Sequence, residues 1–192
     1  MGLLALMLLQ HSRAQARLGS DGAIVLLEDQ DRALWDRAMI GEGLALIDKA
    51  MRHLEPGPYQ IQAAIAALHA RAPDAAATDW GGIEALYGAL ERLNASPVVT
   101  LNRAVALSKV RGPAAALAMI EPLGNQLSGY FYFHGVRGAL LMQLGHRRDA
   151  EVAFDQAIAR AHSAAEAAHI RMQIDRLRAD SCAAASLTPP AA

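Results

Sequence analysis

The sequence predicts an all-α chain, a right-handed array of antiparallel helix pairs with about nine to ten helices. Three observations lead there. Of 192 residues 53% are hydrophobic while aromatics make up 5%, and the surplus is alanine, a strong helix former and a small packing residue. β-Branched runs occur only in short pieces such as residues 23–27, too little material for a large sheet. Helix signals follow one another across short loops, and the second half repeats itself at a period of 34 residues.

The first helix is expected over about residues 3–17, then a turn at 19–22 and an extended or irregular stretch over 23–29. A long helix follows, to about Leu54. Pro58 suits the first position of the next helix, 59–71, because its missing N–H is one that a helix start leaves unpaired anyway. Asp79 caps a helix whose Trp80, Ile83, Leu86, Tyr87 and Leu90 recur at helical spacing. Ser96 and Pro97 open another to about Val110, and Gly112 and Pro113 separate it from a helix reaching Ile120. Helices over 130–144 and 147–161 flank Gly145, and Ser163 caps a last one ending near Ala179. This makes one helical-repeat domain over 1–179: an irregular half at 1–95, two clear repeats at 96–162 and a capping helix at 163–179. A disordered tail is expected over 180–192.

A 34-residue shift puts Arg103 on Arg137, Ala104 on Gly138, Leu107 on Leu141, Ala116 on Ala150 and Ile120 on Phe154. Two antiparallel helices approach closely only where one offers Gly or Ala to the other's bulky side chain, so small must meet small and large meet large. Gly138, Gly145, Ala150, Phe154 and Ala157 resemble the tetratricopeptide repeat, with His134 and His162 standing where that repeat usually has Trp and Pro.

Composition also narrows function. Lys plus Arg number 18 against 19 Asp plus Glu, so no long-range positive field attracts a phosphate backbone. Cys182 is the one cysteine, which rules out a disulfide framework and a thiolate metal site and fits a reducing cytoplasm. The apolar run at 3–9 has no positive charge before it and is too short to span a bilayer, so no membrane role is expected. Met1 opens within an amphipathic pattern with no capping residue, which reads like a fragment. No nucleophile elbow, phosphate loop, zinc helix or dinucleotide fingerprint occurs, so neither catalysis nor a cofactor is expected.

Three strings in order, LLEDQDRALWD at 26–36, GPYQIQAAIAA at 57–67 and SPVVTLNRAVA at 96–106, together resemble the long C-terminal extension of one group of extracytoplasmic-function RNA polymerase sigma factors. That resemblance implies a regulatory, non-catalytic protein-interaction domain that modulates transcription initiation. It also implies partners among the protein's own sigma regions, RNA polymerase or a separate regulator. DNA would be contacted only through regions this chain lacks.

Candidate sites follow from both readings. Asn102, Arg103, Arg137, His134 and Tyr130 fall on first helices of repeats, which line the concave face in such arrays. An Asn amide there can both donate to and accept from a peptide backbone. For Arg103 and Arg137 a structural tie between helices is the alternative. The polar cluster Glu28, Asp29, Asp31, Arg32 and Trp35, with Asp36 and Arg37, is either a recognition surface or carboxylate site, or a helix start dressed with acidic residues. A competing function is small-molecule sensing, in a pocket between the irregular half and the repeats that Trp35, Tyr59, Gln62, His69 and Tyr87 would line.

Overall fold

Among the residues that a computed structural model describes, 1–20, 22–52 and 56–186 with side chains through Ala179, the chain is all-α, an array of nine α-helices joined by short connections. They are α1 (Gly2–His11), α2 (Arg37–Ala50), α3 (Pro58–Arg71), α4 (Trp80–Leu93), α5 (Pro97–Arg111), α6 (Pro113–Ile120), α7 (Phe131–Gln143), α8 (Arg147–Ile158) and α9 (Ala164–Ser186). Short 3-10 turns occupy Ala14–Ala16, Leu27–Asp29, Arg32–Leu34 and Glu121–Leu123. None of the helices is long and apolar enough to cross a membrane. Two compact units result, Met1–Gly112 and Pro113–Ala192.

In the first unit α1 packs on α2 and α3, and α3, α4 and α5 follow as successive neighbours. A Cβ on Gly43 would lie 2.8 Å from Leu9 Cγ, so the missing side chain is what lets α2 settle against α1. Leu9, Trp35, Ile40, Ile47, Ala63 and Ala67 form one core, and Ile61, Ile65, Ile83, Leu90 and Ala106 form the next. Pro58 and Pro97 each stand in the first turn of their helix, as their fixed φ favours. Asp79 accepts from Gly82 N at 2.8 Å, but Ser96 makes no side-chain cap bond.

In the second unit α7 pairs with α8, α6 packs on α7, and α9 lies along α8. Gly138 is the tightest point: a Cβ there would sit 2.5 Å from Phe154 Cδ1 and Cε1. Gly145 turns the chain between the two helices at φ +78°, a conformation that glycine adopts without strain. Phe154 and Ile120 are buried alike, as are Ala116, Ala150 and Ala104. The positions matched by the 34-residue shift therefore share their burial.

Boundaries differ from expectation in three places. The first helix stops at His11 rather than continuing to 17, because Ser12 Oγ turns back onto the Leu9 carbonyl at 2.8 Å and competes with the helical ladder. The second does not run unbroken from the acidic cluster: Trp35 and Asp36 are extended, and Asp36 caps a fresh start by accepting from Met39 N at 2.9 Å. That helix closes at Ala50, and Leu54 lies outside the described residues. At the other end α9 continues to Ser186, past the tail boundary expected at Ala179; 187–192 lie outside the described residues.

Candidate functional site

In the first unit the site is a groove along α3, α4 and α5. α4 carries Glu84, Gly88 and Glu91 at spacings of four and three, which places them on one face. Arg103 of α5 lies across that face. Its Nε and Nη2 donate to Glu84 Oε1 at 2.8 and 2.6 Å, and its Nη1 donates to Glu91 Oε2 at 2.7 Å. Gly88 leaves the room, since a Cβ there would stand 3.4 Å from Arg103 Cζ. Hydrogen bonds donated to Glu91 and then to Glu84 raise the guanidinium's pKa above its ordinary value. Arg103 is therefore a tie between α4 and α5.

Asn102, one residue before, is exposed. It lines two adjoining cavities together with Tyr87. The first, about 330 Å³, is walled by His69, Trp80, Ile83 and Lys109 and roofed by Leu26, Leu27 and Glu28. The second, about 340 Å³, presents Gln10, Gln62, Asn94 and Ser96. Among the described residues, the side-chain amides of Gln62, Asn94 and Asn102 form no hydrogen bond. Each therefore offers both a donor and an acceptor.

The roof is held by an ion pair, Lys109 Nζ to Glu28 Oε2 at 2.7 Å, and Lys109 also stands 5.8 Å from the Trp80 ring centroid. His69 meets Trp80 edge-on, with ring centroids 5.3 Å apart. Burial first, then the neighbouring Arg13 and Arg32, lower the His69 pKa to about 4. At neutral pH the wall is thus uncharged at His69. Burial likewise pushes the Tyr87 phenol up.

The polar cluster near the second helix comes apart into separate structural duties. Asp31 caps Ala33 N at 2.8 Å, and Asp36 caps Met39 N. Arg32 Nη1 donates to the carbonyls of His69 and Ala72 at 2.6 and 2.9 Å, closing the C-terminal end of α3, and its guanidinium stacks 4.6 Å above Trp35. Arg37 donates to the Arg32 carbonyl, and Asp29 is exposed. Trp35 is 2% exposed, so it cannot serve a recognition surface. No group of three or more His, Cys, Asp and Glu among the described residues is placed to hold a metal ion.

Nor do the four rings expected around a small-molecule pocket come together. Trp35 belongs to the core, and Tyr59 points outward at 52% exposed. His69 and Tyr87 share the first cavity, while Gln62 lines the second. The register of α3 explains this: Ile61 and Ile65 take its buried face, which turns Tyr59 to solvent.

The remaining groove candidates lie in the second unit. His134 is buried, and its Nε2 donates to the Ser128 carbonyl at 2.9 Å, holding the turn before α7; it does not line a groove. Arg137 Nε donates to Glu121 at 2.9 Å and ties α7 to the turn after α6, the structural alternative for this residue. Tyr130 is half-buried at the start of α7 with its ring 5.5 Å from that of Tyr132.

Sequence reasoning missed Gln10, Asn94, Trp80 and Lys109, which no motif marks. The Glu84, Gly88 and Glu91 spacing was a readable signal for where Arg103 would go.

A family model described as a family of unknown function (DUF6596) matches residues 1–51. An uncharacterized protein of Rhizobium meliloti (strain 1021), R00370, is 69% identical over 180 residues, covering 94% of this chain. The chain spans 43% of that relative's length. No solved structure matches the chain.

Proposed function

We propose that the chain is a non-catalytic interaction module within the regulatory extension of a bacterial alternative sigma factor, and that it modulates transcription initiation by taking an extended partner segment into the Asn102 groove. The partner comes from the protein's own sigma regions, from RNA polymerase or from a separate regulator. One observation carries the reading: Gln62, Asn94 and Asn102 present unengaged amides along adjoining cavities that Tyr87 and Asn102 share. Such amides pair with a peptide backbone whatever its sequence, and the apolar Val99 and Val105 beside them take alternate side chains. The three strings that resemble the sigma-factor extension supply Glu28, Gln62 and Asn102 to this groove.

The test measures binding of the purified chain to the part of the longer Rhizobium relative that it does not span. The double variant Asn102→Ala, Gln62→Ala should weaken binding about tenfold or more while the melting temperature stays unchanged. Arg103 is left intact because removing it would loosen α4 from α5 and confound the result. Undiminished binding by the double variant overturns the reading, and no binding by the parent chain removes the protein's own sigma regions from the partners.

A further inference from the structure

Arg13 and Arg17, just after α1, are partnered differently from four arginines that form ion pairs. Arg71, Arg103, Arg137 and Arg178 each meet a carboxylate, with Asp48, Glu84 and Glu91, Glu121 and Glu151 respectively. Arg13 and Arg17 converge instead on one neutral oxygen. Arg13 Nη2 donates to Gln10 Oε1 at 2.5 Å, and Arg17 Nη2 donates to the same atom at 3.2 Å and to the Gln10 carbonyl at 2.8 Å. Among the described residues neither reaches a carboxylate. Burial, then Arg17 and Arg32, lower the Arg13 pKa to about 10, so this is a cluster of like charges partly withdrawn from water.

Beside it lies the largest cavity described, about 750 Å³, with Arg17 at its edge and Leu4, Met7, Leu8, Leu18 and Met39 as its apolar wall. Leu4, Met7 and Leu18 are 49%, 59% and 57% exposed. Arg13 lines a neighbouring cavity that shares Arg17 and Leu18 with this one, so Arg17 joins the exposed apolar wall to the arginine pair, and the two together call for a partner that is apolar and anionic at once. Methionines let such a surface adjust to its occupant.

We propose that this face of α1 binds a protein segment in which a carboxylate side chain adjoins apolar ones, the carboxylate engaging Arg13 and Arg17 where Gln10 now stands in. The inference rests on the reading of the chain as an interaction module; Gln10 also lines the second cavity of the groove, but Arg13 and Arg17 line neither groove cavity, so they separate the two sites. The planar amide oxygen of Gln10 occupies the place of a carboxylate oxygen without its charge. The apolar wall beside it suits a peptide better than a free phosphate.

The test titrates the full chain with N-acetyl-Leu-Leu-Glu-amide, its Gln counterpart and inorganic phosphate at constant ionic strength, following arginine Nε–H resonances. The Glu peptide should bind about tenfold tighter than the Gln peptide. Arg17→Gln should remove that preference, and so should Gln10→Glu, which supplies the negative charge internally. Asn102→Ala should leave it unchanged, so that a failure of the groove and a failure of this site can be told apart. Equal binding of the two peptides, no saturable binding, a preference that survives Gln10→Glu, or phosphate binding tighter than the Glu peptide each overturns the proposal.

Discussion

Single side chains in the first unit are governed by what they can no longer reach in water. His69 is the clearest case. Its folded-state pKa of about 4 lies below the ordinary 6.5, so on acidification the unfolded chain takes up a proton that the folded chain refuses. Stability should therefore fall as pH drops from about 6.5 to about 4 and level off below. After allowance for the solvent-facing part of the ring, this one group should cost on the order of 2–3 kcal/mol. Urea unfolding at neutral and acid pH checks this: His69→Gln should lose less stability on acidification than the parent, and equal losses would refute the assignment. Arg103 shows the complementary case, a cation whose two carboxylates hold it charged.

Between helices the decisive quantity is how closely backbones approach. At Gly138 an alanine would gain helix propensity of about 1 kcal/mol, yet its methyl would stand 2.5 Å from a Phe154 ring that is 1% exposed and has nowhere to go. Overpacking wins. We expect Gly138→Ala to destabilise by about 1–3 kcal/mol in chemical denaturation, and Phe154→Leu added to it to recover part of the loss. The sequence made this contact legible, because the small–large–small pattern of Ala150, Phe154 and Ala157 and the terminating Gly145 all point to one helix pair. It concealed the break at Trp35 and Asp36, where a helix-like apolar pattern continues across residues that Asp36 recruits as a cap.

Taken as a whole the chain has 18 Lys plus Arg against 19 Asp plus Glu, a formal net charge of −1, and Arg103 and Arg137 are engaged by carboxylates. Near-balanced charge sets up no long-range positive field toward a phosphate backbone. We therefore expect no retention of a labelled DNA duplex by the chain in a gel-shift measurement at physiological salt. Salt-dependent retention in the micromolar range would contradict the assignment of DNA contact to other regions.

The fold class was readable from the sequence because alanine content, helical periodicity and a 34-residue repeat all act locally or at a fixed spacing, and each can be counted along the chain. Pro58, Pro97, Asp79 and Gly145 marked helix ends for the same reason. The site was legible in pieces: Asn102, Gln62, His69 and Tyr87 were named, but sorted into a groove and a pocket that tertiary packing merged into adjoining cavities. Tertiary packing also buried Trp35 and His134, turned Tyr59 outward and gave Arg103 to Glu84 and Glu91. Helical periodicity says which residues share a face, but whether that face meets a neighbour or solvent depends on helices distant in the chain, and only their packing decides it.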